Sequence, residues 1–172
     1  MIKGLLHRAK LRKHKARVLA LDREKCFIAP QNVKSCLVLR STFMDNEECV
    51  NQLKSMYPDV EFTELWHICQ GTMKPSDVDI AMTISRDNLT KRGFENAEVA
   101  VELLNGKFDW LIDMSADNSD FVELLLLASR AKCKISWRYI GDFVADITLK
   151  EVKNRKEFVE QLPELFKMLT NN

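Results

Sequence analysis

The stretch SCLVLRSTFMDNEECVNQLKSMYPDVEFTELW, residues 35–66, decides the fold. SCLVLR (35–40) is a short apolar run of β-formers, as a strand buried on both faces requires. Asp45 and Glu48 then stand at capping-box spacing, where each can satisfy a free amide of a helix start. Cys49, Val50, Leu53 and Met56 recur at helical intervals, and Pro58-Asp59 ends the run. VEFTELW (60–66) returns as a second strand. Strand, helix and strand in this order make a crossover, and a crossover joins parallel strands.

The alternation continues along the chain. IAMTIS (80–85) reads as a third strand, and Asn96 as the cap of a helix that Asn105-Gly106 closes. FDWLIDM (108–114) is the next strand. Ser119 or Asn118 caps a very apolar helix running to about Arg130, and CKISW (133–137) follows. Tyr139-Ile140-Gly141-Asp142 turns the chain into FVADITL (143–149), and the shortness of that link predicts an antiparallel pair at one edge. Asn154 with Glu157 opens a last helix whose Phe158, Val159, Leu162, Leu165, Phe166 and Leu169 share a face. Pro163 lies inside it and predicts a kink or a split. The whole is a three-layer, Rossmann-like α/β fold: a mostly parallel sheet with helices on both faces.

Charge divides the chain unevenly. Residues 1–25 carry nine Lys or Arg against two acids, +7, so within a total of +1 the remainder carries −6. The division suggests a basic N-terminal helical arm, residues 1–25, and one α/β domain, residues 26–172. Ile2, Leu5, Leu6 and Ala9 give the arm an apolar stripe. No apolar run approaches the roughly 20 residues that span a bilayer. Five scattered cysteines without a Cys-x-x-Cys pair, in a chain that lacks a secretory h-region, point to a reducing, cytoplasmic setting.

DNLTKRGFENAEVAVELLNGKFDWLIDMS, then LLLASRAKCKISW and FVADITL, resembles a family of small bacterial α/β proteins of unknown function. Its members join a Lys/Arg-rich N-terminal helix to this strand–helix–strand core. The resemblance covers most of the chain and implies a fold rather than an activity. The run FDWLIDMS, an apolar helix and then Ala131-Lys132-Cys133-Lys134 is also similar, at the level of architecture, to the acceptor-side domain of lipopolysaccharide heptosyltransferases. Those enzymes need a second, nucleotide-sugar domain.

Ligands of open parallel sheets gather beyond the carboxyl ends of the strands, where adjacent crossovers leave in opposite directions. If 35–40 and 108–114 are central, Ser41, Thr42, Ser115, Asp117 and Asn118 ring that crevice. Helix N-termini there favour an anion. Asp113, Asp117 and Asp120 oppose one, and no Gly-rich phosphate loop is present. Asp113 with Asp117 does not specify a magnesium geometry, the cysteines lack zinc spacing, and no cofactor is implied. His67 near Cys69 lacks the third group that a nucleophilic pair requires and reads as structural. No catalytic residues emerge.

The arm is the other candidate. Lys3, Arg8, Lys10, Arg12, Lys13, Lys15 and Arg17 favour phosphates, of nucleic acid or of an anionic membrane surface. No aromatic residue is interleaved for base stacking. The same helix can pack on the domain or on a second subunit, as in a homo-oligomer. The expectation is a non-catalytic cytoplasmic binding or scaffolding module, peripheral on the inner membrane surface if the arm meets lipid. The alternative is a ligand binder or enzyme that uses the strand-end crevice, a glycosyltransferase-like remnant.

Overall fold

The computed structural model of the chain describes residues 13–15, 23–42, 46–69, 71–72, 78–90, 92–116, 119–139, 141, 144–149 and 151–171. Among them the elements follow the expected alternation. They are β1 (Ser35–Ser41), α1 (Glu47–Met56), β2 (Glu61–Ile68), β3 (Thr83–Ser85), α2 (Glu98–Asn105), β4 (Trp110–Asp113), α3 (Asp120–Ala128), β5 (Cys133–Ser136), β6 (Ile147–Thr148) and α4 (Arg155–Thr170). The six strands form one sheet in the order β3-β2-β1-β4-β5-β6, with every neighbouring pair parallel. This is a three-layer, Rossmann-like α/β fold.

Two cores cover the two faces. Leu37, Leu39, Leu65, Ile84 and Leu111 point to one face and bury Ala100 and Leu104 of α2 and Phe121, Leu124 and Leu125 of α3. Cys36, Val38, Trp110, Ile112, Cys133 and Ile135 point to the other and bury Val50 and Leu53 of α1 and Phe158, Val159, Leu162 and Phe166 of α4. Alternation along each strand thus feeds both layers, the reason a parallel strand is apolar throughout. Trp110 anchors the second core, stacked at 4.6 Å on Phe166, with its indole N–H donating to the Ile28 carbonyl at 3.0 Å. All five cysteines are free thiols, and burial pushes Cys133 up to about 12.

Four local expectations are corrected. Residues 80–82 form a 3-10 turn, because the Asp79 carboxylate accepts from Ala81 N at 2.9 Å and the Thr83 hydroxyl donates to Ile80 O at 2.6 Å; only Thr83–Ser85 remain as strand. β6 is parallel to β5, and at two residues it is short enough for 137–146 to carry the chain back without a helix among the described residues. Asn96 adopts a left-handed φ of 55° and passes the cap position of α2 to Ala97. α4 runs unbroken through Pro163. The cap of α1 is Asn46, whose side chain turns into the core instead of onto the helix; Asp45 lies outside the described residues. The caps Ser119 and Asn154 do accept from Val122 N and Glu157 N.

Candidate functional site

β1 and β4 are the central pair, aligned Leu39 with Asp113, and their crossovers part company there: α1 goes to one face and α3 to the other. This is the topological switch point of an open parallel sheet. Ser41, Asp113 and Ser136 end β1, β4 and β5 on the α2/α3 face, and all three are fully buried.

Asp113 is held by the Ser115 amide at 2.9 Å, the Ser115 hydroxyl at 2.5 Å and the Ser136 hydroxyl at 3.0 Å. Burial pushes its carboxyl up, against the downward pull of Arg138 and of the serine hydrogen bonds. Ser115 Oγ in turn accepts from Arg138 Nη2 at 2.9 Å, and its carbonyl accepts from the Trp137 indole at 3.1 Å. Ser41 Oγ accepts from Ala116 N at 3.0 Å, and Asn46 Nδ2 donates to Met114 O at 2.7 Å, so the turns after β1 and β4 are stitched to each other. Ser41 is therefore held against the turn that carries Ser115. Thr42 turns away, its hydroxyl accepting from Cys69 N at 3.0 Å at the end of β2. Asp117 and Asn118 lie outside the described residues.

Two arginines gather at this edge, and nothing in the sequence pattern marks them. Arg155 begins α4, is 9% exposed and donates to Met114 O at 3.2 Å. Its guanidinium and that of Arg138 both lie over the Trp137 ring, 5.9 and 5.0 Å from its centre. Burial and the like charges of Arg138 and Arg40, opposed by Cys49 and Asp113, hold Arg155 below its ordinary range. A cation at a helix N-terminus opposes the helix dipole, so this placement is locally unfavourable.

The acids that argue against an anion are altered by their surroundings. Asp113 is turned inward among hydroxyls, and Asp120 pairs with Lys15 at 3.4 Å. Lys15 also pairs with Glu123, and His14 Nε2 meets Thr90 O at 2.8 Å. Residues 13–15 are helical and lie against the body; of the arm's basic residues Lys3, Arg8, Lys10, Arg12 and Arg17 lie outside the described residues.

Arg40, on the α1/α4 face, organises a second region. It is 1% exposed, stacks 4.0 Å over Trp66, and donates to Asn46 Oδ1 at 2.9 Å, Glu47 at 2.8 Å and Glu64 at 2.7 Å. A cavity of about 400 Å3 opens beside it, lined by Glu47, Phe62, Glu64, Val78, Asp79 and Met82 among others. His67, by contrast, packs as a core residue, its ring 5.0 Å from that of Phe121 and its Nδ1 3.8 Å from Cys69 Sγ. Among the described residues no three metal-ligating side chains converge.

A family model described as a family of unknown function, DUF6913, matches residues 5–170. The chain belongs to the DUF6913 family. No curated protein and no solved structure matches it. Among its described residues no helix is long and apolar enough to cross a membrane.

Proposed function

We propose that this protein is a non-catalytic binding module that takes a small anion-bearing molecule at the switch point between β1 and β4. The observation that carries the reading is the pairing of Arg138 and Arg155 over Trp137 at the carboxyl edge, next to the buried Ser115. Like charges crowded at a helix start are unfavourable alone, and a negative group placed between them relieves the repulsion. Such departures from local rules concentrate at binding sites. Ser41, Ser115, Asp117 and Asn118 are the proposed lining, with Arg138 and Arg155 added, and Thr42, turned to the end of β2, is left out of it. The Ser115 and Ser136 hydroxyls that donate to Asp113 are fully buried with it, which favours a positioning role and hence binding over catalysis; a sugar-nucleotide transferase remnant is the enzyme alternative.

Thermal melts with inorganic phosphate and with sugar and nucleoside monophosphates test this. A ligand at about 100 times its dissociation constant stabilises by about 2.7 kcal/mol, several degrees for a chain of this size. Arg138→Gln should abolish the shift while melting as a folded protein. If no phosphate compound shifts the melt beyond what sodium chloride does, the reading is wrong.

A second role rests with the arm. Its remaining basic residues, Lys3, Arg8, Lys10, Arg12, Lys13 and Arg17, are proposed to meet an anionic partner, lipid or nucleic acid, or a second copy of the chain. The contacts of His14 and Lys15 with the body favour an arm that lies along the domain. The domain division at residue 25 and a cytoplasmic location, at the inner membrane surface if lipid is the partner, belong to the same proposal. Liposome and nucleic-acid pull-downs of the intact chain and of a chain lacking residues 1–17 separate the alternatives.

A further inference from the structure

The two flanks of the sheet are treated differently. Beyond β5, outward backbone groups are met: Cys26 N donates to Lys132 O, Arg23 to Ala131 O and Lys132 O, the Asp146 carboxylate accepts from Lys134 N, and Leu149 N donates to Ser136 O. Beyond β2 the cover stops short. β3 pairs only with Trp66, His67 and Ile68. In a parallel ladder alternate residues bond to opposite sides. Glu61 N donates to Lys34 O and His67 O accepts from Thr42 N, so the odd residues of β2 face β1 and the even ones face outward. The N–H and C=O groups of Phe62 and Glu64 therefore open toward the cavity beside Arg40, where among the described residues no strand pairs with them.

We propose that this half-strand is a docking edge for an extended, basic peptide segment of a partner protein, added to the sheet alongside β2 below β3. Strand addition of this kind takes its affinity from main-chain hydrogen bonds and its specificity from alternate side chains. The chemistry of the cavity selects the occupant. Glu47, Glu64 and Asp79 line it against two cations: Arg40, already stacked on Trp66 and bonded to both glutamates, and Lys54, which donates to Glu64 at 2.6 Å; Glu61, exposed at the start of the strand, adds to the acid excess. The acid excess disfavours pairing with the same edge of another copy, since like charges opposed across strands repel. Lys or Arg at alternate positions meets the glutamates, and Phe62, Val78 and Met82 receive the apolar parts of the stems. The edge is separate from the switch point, and phosphate compounds do not compete for it.

The probe is acetyl-(Lys-Thr)4-amide, compared with the same peptide N-methylated at alternate residues, which keeps the charge and removes the strand donors. Hydrogen exchange of the free protein should show fast amides at Phe62 and Glu64 beside slow ones at Thr63 and Leu65. Adding the unmethylated peptide should slow Phe62 and Glu64, with binding at least tenfold tighter than that of the methylated form. Glu61→Lys should weaken binding without changing the melt. Slow exchange at both amides in the free protein, equal binding of the two peptides, or protection elsewhere would each overturn the proposal.

Discussion

Lys134 shows what a buried charge does in this fold. It stands mid-strand in β5, 3% exposed, and its ammonium donates to the carbonyls of Leu126 at 2.5 Å and Leu127 at 3.3 Å, at the end of α3. Burial, with Arg23 nearby, lowers it from 10.5 to about 7, while Asp146 pulls the other way. Between those two values the unfolded chain keeps a proton that the folded chain has released, so stability should rise as pH climbs from about 7 to about 10.5. Below about 7 the full penalty applies. The gain is on the order of 3 kcal/mol, less than the whole shift because the helix-end carbonyls favour the ammonium. Urea unfolding of the wild type and of Lys134→Met at a series of pH values should show the wild type gaining stability relative to the variant as pH rises through this range; parallel curves would show that Lys134 does not titrate there. Such residues were illegible in the sequence for one reason. Arg40, Asp113 and Lys134 read as polar ends or surface positions of apolar runs, and only the fold reveals that Asn46, the serines and the α3 carbonyls converge on them.

At the scale of elements, α4 raises a question that its own sequence poses. Pro163 lies deep within Arg155–Thr170, on the exposed side, and has no N–H to give to the carbonyl one turn back. The helix persists because Phe158, Val159, Leu162 and Phe166 are buried against the second core on either side of the proline. Packing outweighs a local defect of up to about 3 kcal/mol. Pro163→Ala should therefore stabilise the chain by about 1 to 3 kcal/mol, read as a higher melting temperature; no gain would mean that the proline ring itself contributes to packing. Where burial and propensity agreed, the elements were legible: β1, α1 and β2 lie within a residue or two of where periodicity put them. Periodicity failed at the margins. At 80–82 the Asp79 and Thr83 side chains close a turn inside an apolar run, and at β6 two ladder residues leave too little pattern to give a direction. The switch point follows from the strand order, which no residue pattern fixes, so the sequence placed it only on the condition that 35–40 and 108–114 are central, as the structure has them. Arg138 in a turn and Arg155 at the start of α4 had no spacing to announce them.

For the molecule as a whole, the opposed charges of arm and body are the main long-range feature. The arm side carries +7 and the rest −6, and the described ion pairs between them are Arg23 with Asp146 and Lys15 with Asp120 and Glu123, in the first turn of α3. Acids at a helix N-terminus are already favoured by the dipole, so Lys15 neutralises charge without removing that benefit. Its side chain is 18% exposed and that of Glu123 23%, a half-shielded pair worth about 1 kcal/mol. With the His14 contact to Thr90 O, the arm should contribute about 1 to 2 kcal/mol, which corresponds to a few degrees of melting temperature for a chain of this length. Salt screens such a contact, with a Debye length of about 3 Å at 1 M. Deleting residues 1–17 should leave a cooperatively melting core and lower its midpoint by that amount at low salt. Raising the salt to 1 M should narrow the gap between the two chains, because both keep the Arg23–Asp146 pair and only the intact one has the Lys15 pairs to lose. Equal midpoints at low salt would mean that the arm does not lie on its own body and that its cations face outward, toward a partner, from the start.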